Sequence, residues 1–224
     1  MPSIFYRGGL FLNTTRKRNY ILSAALLAAF ALWTMAVCTV DVRPVGPEGS
    51  CIGFAALNRS FHRLTGVHMT LYTLTDWLSL VPVGFGLGFA AFGLAQWIQR
   101  RRLRLVDRSI LVLGGFYLVV MAAYVFFEII IVNYRPILIG GIPEASYPSS
   151  TTMLVLCVIP TAMLQLKERI KSRRLSRCVT VVLAVFTGFM LIGRLLSGVH
   201  WLSDIIGGVL LSAGLVLLYA AICE

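Results

Sequence analysis

His200 and Asp204 stand four residues apart, a spacing that puts two side chains on one face wherever the chain is helical. A carboxylate one turn from an imidazole can hold the proton of one ring nitrogen and leave the other nitrogen free to attack an electrophile. Arg135 and Arg194 carry permanent charge on planar forks suited to a phosphoryl group. Ser149 and Ser150, near the start of an apolar stretch, add hydroxyl and backbone N–H donors. Two arginines, a helix start and a carboxylate-oriented histidine are the parts of a phosphoryl-transfer site. Each part alone has a plainer reading, because arginines at helix ends also snorkel to lipid headgroups and an i,i+4 His–Asp pair can simply link two turns. Their coincidence argues for chemistry. Three groups recur at one end of separate apolar spans: Glu128 with Arg135 and Pro136, Tyr147 to Thr151, and Arg194 with His200 and Asp204. Ionisable groups at such positions are costly and by default mark function.

Hydropathy sets the elements that must hold these groups. Of 224 residues, 58% are hydrophobic and 13% charged, and the charges cluster between long apolar runs. A helix needs about 20 residues to cross a bilayer. Six spans are expected: Tyr20 to Val40, Leu71 to Ile98 with Asp76 and Pro82 inside it, Ser109 to about Asn133, Thr151 to Leu166, Cys178 to Ile192, and Asp204 to Ile222. The first is too long for a signal-peptide core and no small-x-small cleavage site follows, so it reads as an uncleaved helix. Between the first two spans, Cys51 to Leu64 keeps a loosely helical apolar rhythm, which suggests a short interfacial helix. The expected fold is all-α: a six-transmembrane-helix bundle with that interfacial helix between helices 1 and 2. Residues 1–19 form a cytoplasmic segment and residues 20–224 a single membrane domain.

Basic residues orient the spans. The N-terminal segment, Arg100 to Arg108 and Lys167 to Arg177 hold four, five and six Lys/Arg, fifteen of the twenty in the chain. With six spans these segments share one side with the C-terminus, and the positive-inside rule makes that side cytoplasmic. Segments 41–70, 133–150 and 193–203, and with them the candidate site, then face away from the cytoplasm. The expected location is a bacterial plasma membrane. A net charge of +11 does not point to nucleic acid, because it lies in short runs between spans and not as a patch on a water-facing surface. The five cysteines show no metal-ligand spacing, so neither metal nor cofactor is expected. Cys38 and Cys51 could meet and pair in the first outer segment, although isolated small apolar side chains are the simpler reading. His62 and His68 are six apart, off any shared helical face, and read as interfacial polar residues. Asp76 and Trp77 read as interface anchors lining a lipid entry, and Gly84, Gly86 and Gly88 as points of close helix packing.

The three groups also resemble a known family, the type 2 phosphatidic acid phosphatases (PAP2), related to the vanadium haloperoxidases. That family carries KxxxxxxRP, PSGH and SRxxxxxHxxxD on a six-helix core. This chain reads ExxxxxxRP from Glu128 to Pro136, PSST from Pro148 to Thr151, and GRxxxxxHxxxD from Gly193 to Asp204. Order and internal spacing match, and the resemblance spans roughly residues 70–222. It implies that His200 is the nucleophile that becomes phosphorylated and Asp204 the carboxylate that orients it. It implies phosphate-binding roles for Arg135, Arg194 and Ser149.

Four positions depart from the pattern. Glu128 replaces a lysine, Ser150 a glycine, Thr151 the histidine that protonates the leaving group, and Gly193 a serine. A hydroxyl titrates far too high to act as a general acid near neutral pH. An alkoxide leaving from a monoester needs that proton, whereas a phosphate leaving from a diphosphate is already a stable anion. Glu128 and Arg135, seven residues apart, would share a helical face about 10 Å apart along the axis and could pair. The resemblance thus implies an integral-membrane lipid phosphatase acting on a lipid phosphate or isoprenoid diphosphate through a phosphohistidine. The alternatives are a phosphotransferase that passes the group to another lipid or sugar, and a non-catalytic relative that binds anionic lipid or a protein partner.

Overall fold

The apolar runs fold as helices because each must satisfy its backbone hydrogen bonds without water. The computed structural model describes residues 4–224, with side chains from Thr14 onward. Helix α1 covers Ile4–Thr39, and a short helix α2, Ala55–Thr65, follows a two-residue antiparallel pairing of Arg43–Pro44 with Cys51–Ile52. Helices α3, Met69–Leu78, and α4, Leu80–Arg100, run nearly end to end. Then come α5, Arg108–Ile129; α6, Ser150–Arg169; α7, Arg173–Leu196; and α8, Leu202–Cys223. Six stretches among the described residues are long and apolar enough to cross a membrane, with α3 and α4 together forming the second. The protein is an integral membrane bundle, and α2 fills the position of the expected short helix.

Coverage by neighbours sorts the helices. About half of the apolar window of α6 and of α8 is buried inside the protein, against 6% for α3–α4, so α6 and α8 form the centre and α3–α4 an edge. One core joins Leu113, Phe116 and Val120 of α5 to Met153 and Cys157 of α6 and Leu211, Leu215 and Tyr219 of α8. A second joins Val155 and Ile159 of α6 to Leu183 and Met190 of α7. Helix α1 lies along α8 where Gly214 lets it come close: a Cβ there would meet Leu27 Cδ2 at 2.8 Å, and Ser23 Oγ donates to the Gly214 carbonyl at 2.8 Å.

The second span breaks at Ser79. Pro82 has no N–H to give to the Leu78 carbonyl and its ring crowds that carbonyl, so it is tolerated only as the third residue of a new helix. Gly84, Gly86 and Gly88 do not mediate packing: a Cβ on any of them would meet nothing within 4 Å. This corrects the expectation of close contact, and the cause is the edge position of α4. Gly84 and Gly88 instead line an open furrow with Phe85, Phe89 and Phe92. Cys38 and Cys51 are both exposed free thiols.

Between α5 and α6 the chain forms a short hairpin, with bridges Tyr134 to Ala145 and Ile139 to Ile142. Gly140 and Gly141 make its tip at φ 62° and 81°, values that favour glycine. This hairpin, the loop between α7 and α8 and helix α2 gather at one end of the bundle. The arginine-rich turns Arg100–Arg108 and Arg169–Arg173 lie at the other, where Arg169 Nη2 reaches Ser109 Oγ at 3.3 Å.

Candidate active site

The loop carrying His200 is clamped from above by the α2–α3 junction. Helix α7 stops at Leu196, and Gly198, at φ 72°, passes so close to the Gly66 carbonyl that a Cβ would collide with it. His68 N donates to the Ser197 carbonyl at 2.9 Å, His62 Nε2 lies 3.1 Å from the Gly198 carbonyl, and the His62 ring tilts against Trp201. Trp201 Nε1 reaches across to the Tyr134 carbonyl at 2.7 Å. His200 itself is 3% exposed, and neither ring nitrogen has a hydrogen-bond partner of good geometry. Burial first, and then the charges of Arg135 and Arg194, push its pKa well below the usual histidine value; a contact with the Ser146 main chain opposes them and is the smallest influence. A neutral, unpaired imidazole is the nucleophilic form.

Asp204 does not hold His200. Helix α8 begins at Leu202, so His200 lies outside it and the helical i,i+4 geometry expected for the pair is absent. The carboxylate is fully buried and meets four other donors: Asn133 Nδ2 at 3.0 Å, Trp201 N at 3.0 Å, Ser203 Oγ at 3.3 Å, and Ser146 Oγ. Asn58 extends this network, donating to Ser203 Oγ at 2.9 Å and accepting from Ser203 N at 3.1 Å. Asp204 is therefore one step removed from His200. It fixes Trp201 N, next to His200 in the chain, and Ser146, whose main chain borders the imidazole.

Both arginines meet over one ring. The guanidinium carbons of Arg194 and Arg135 lie 5.0 and 5.9 Å from the centroid of Tyr72 on α3. Arg194 is 2% exposed; its Nη2 donates to Thr151 Oγ1 and, at 3.2 Å, to Asp76 Oδ1, while Nε and Nη1 have no partner. Arg135 pairs with Glu144, whose Oε2 is 2.9 Å from Nε, but not at a hydrogen-bonding angle, so Nε and Nη1 remain without hydrogen bonds. The expected pairing of Arg135 with Glu128 is replaced by this one. Helix α5 ends at Ile129, so the seven-residue spacing spans a turn, and the hairpin delivers Glu144 instead. Glu128 is exposed and lines a small cleft with Tyr124, Ser146 and Ser150.

Ser149 caps α6. It is fully buried, its Oγ accepts from Thr152 Oγ1 at 3.0 Å and from Thr152 N at 3.5 Å, and its N donates to the Asp204 carbonyl at 3.1 Å. Tyr147 anchors the approach by bonding Thr34 Oγ1 at 2.6 Å and pressing on Gly207, where a Cβ would lie 2.6 Å from its ring.

What converges is a buried set of unpaired N–H donors around a neutral imidazole. Such an arrangement matches a tetrahedral anion. Comparison with known proteins bears on its ancestry: the sequence matches the PAP2 superfamily over residues 83–223, more than half of the chain. The chain belongs to the PAP2 superfamily. No curated protein matches it. Among solved structures it is similar to one described as the first transmembrane PAP2 type phosphatidylglycerolphosphate phosphatase from Bacillus subtilis. The two share 20% identity at a TM-score of 0.53, over 90% of this chain and 96% of that one. At that identity the likeness concerns the fold, a PAP2 membrane bundle.

Several residues of this PAP2 site escaped sequence reasoning. On α3, Tyr72 lies against both arginines and Asp76, four residues on, bonds Arg194. Asn58, Asn133 and Ser146 build the Asp204 network. Asp76 did carry a signal, an acid inside an apolar span, but its partner lies 118 residues away.

Proposed function

We propose that this protein is an integral-membrane phosphatase that cleaves the terminal phosphate of a lipid diphosphate through phospho-His200. The observation that carries the reading is the set of buried donors left over: Nη1 of Arg135 and Nε and Nη1 of Arg194, beside a histidine with no hydrogen bond of good geometry on either ring nitrogen. Burying such groups unpaired costs about 1–3 kcal/mol each. A phosphoryl group would satisfy them together.

In the first step a ring nitrogen of His200 attacks phosphorus and the bond to the bridging oxygen breaks. Its electrons leave with the lipid monophosphate. The arginines neutralise charge on the non-bridging oxygens, more strongly as the transition state forms. Thr151 accepts a hydrogen bond from Arg194 where the family histidine would donate a proton. A diphosphate tolerates that loss because its leaving group is a stable anion, and a monoester does not. Water then attacks phospho-His200 and releases phosphate.

The test is phosphate release by the purified full-length protein from an isoprenoid diphosphate and from the corresponding monophosphate, with His200→Ala as blank. The expected result is diphosphate hydrolysis well above monophosphate hydrolysis, and none in the variant. No release from either substrate by folded wild type would favour a binding role, for which Glu128 and Thr151 are the motivating departures.

A further inference from the structure

Removing the family histidine leaves the second half of the reaction without a base. Water attacking phospho-His200 must lose a proton, and a threonine hydroxyl does not accept it. A carboxylate is ionised at neutral pH and is competent for this step. Asp76 stands beside Arg194, the arginine that also bonds Thr151, whereas Glu144 lies on Arg135. Asp76 Oδ1 lies 3.2 Å from Arg194 Nη2, the same nitrogen that bonds Thr151 Oγ1. Any anion held by Arg194 therefore has Asp76 and Thr151 as neighbours, and the Asp76 side chain is 55% exposed, so it is not sealed inside the protein.

A second observation explains how it comes to be there. Gly193 occupies the third-motif serine position. A Cβ at that residue would lie 2.7 Å from Thr75 Cγ2. Without one, α3 presses directly on α7, with Thr75 fully buried in the contact. Asp76 follows Thr75 in the chain and Arg194 follows Gly193, so the close approach at the first pair brings the second pair together. Tyr72, one turn back on α3, lies against both arginines.

We infer that Asp76 is a catalytic residue of this site, the general base that activates water against phospho-His200 in place of the missing histidine. This rests on the phosphohistidine reading. The water oxygen bonds to phosphorus, the P–N bond breaks with its electron pair returning to the His200 ring, and the water proton passes to Asp76 and then to solvent. The first step needs no proton from the protein when a diphosphate is the substrate. One carboxylate thus suffices for the cycle, and the site is selective for substrates with a phosphate leaving group.

The experiment compares wild type, Asp76→Asn and Asp76→Glu in rapid-quench assays with farnesyl diphosphate. Lipid monophosphate reports the first step and inorganic phosphate the second. Asp76→Asn should still give a burst of farnesyl monophosphate near one per enzyme, followed by steady-state turnover reduced about 10²-fold or more, the range for a lost general base. Hydroxylamine, a nucleophile that needs no such base, should take the phosphoryl group from the variant's phosphoenzyme and restore repeated turnover, read as farnesyl monophosphate beyond one per enzyme. Asp76→Glu should recover part of the rate. Unchanged steady-state turnover in Asp76→Asn overturns the inference. So does loss of the burst in parallel with turnover, which would make Asp76 a residue that only positions Arg194. Wild type that yields neither product overturns the phosphatase reading itself, and the base with it.

Discussion

In the proposed mechanism, Thr151 and His200 decide which substrates the site turns over. Thr151 is buried against Arg194, at the position where the family pattern has a histidine. Installing that acid, as Thr151→His, should raise monoester hydrolysis by about 10²-fold, the lower range for general-acid catalysis, and leave diphosphate hydrolysis little changed. Adding Glu128→Lys to that variant should help both substrates alike, because a cation stabilises charge in either transition state. Equal gains for Thr151→His on the two substrates would show that the leaving group is not what Thr151 limits. His200 gives a pH signature. Its folded pKa lies well below an unfolded value of about 6.5, so the unfolded chain takes up the proton first as pH falls. Stability held above pH 6.5 is therefore lost as pH drops toward the folded pKa. The thermal midpoint of wild type in detergent should fall over that window, and His200→Gln should flatten the fall. A His200→Gln profile that tracks wild type would assign the acid sensitivity elsewhere.

At the scale of elements, what could be read in the sequence follows from the reach of each signal. Span lengths, the short helix α2 and the ends of the spans that carry Arg135, Ser149 and Arg194 follow from local hydropathy and from Ser149 as a cap. The His200–Asp204 geometry does not, because it assumed a helix that begins two residues too late to include His200. Glu144, sixteen residues beyond Glu128, takes Arg135 because the hairpin turns at Gly140 and Gly141, a fact of loop shape. The role of α3 was hidden for a similar reason. Tyr72 and Asp76 share one helical face, but only the break before Pro82 and the bare backbone at Gly193 aim that face at the arginines. Gly193→Ser, which restores the family residue, should therefore drive α3 off α7 and cost about 1–3 kcal/mol, as overpacking does. Thr75→Ser removes the opposing methyl, and the double variant should recover the thermal midpoint. A midpoint unaffected by Gly193→Ser would mean that α3 moves freely and does not hold Asp76 in place.

For the molecule as a whole, the arginine-rich turns and the candidate site occupy opposite ends of the bundle. If the positive-inside rule governs insertion, the site opens away from the cytoplasm. Reporter fusions after Arg104 and Arg174 should then read cytoplasmic, and fusions at Gly141 should read exterior; reversal at all three would turn the site inward. Either orientation leaves the chemistry at His200 as the central claim. Its most direct measurement is the covalent intermediate. Full-length protein is mixed with isoprenoid diphosphate labelled with ³²P in the terminal phosphate and quenched in alkali. Label should appear on wild type, resist alkali, be lost in acid as a phosphohistidine is, and map to the peptide containing His200, with none on His200→Ala. Turnover by wild type without any such label, or the same label on His200→Ala, would contradict the account.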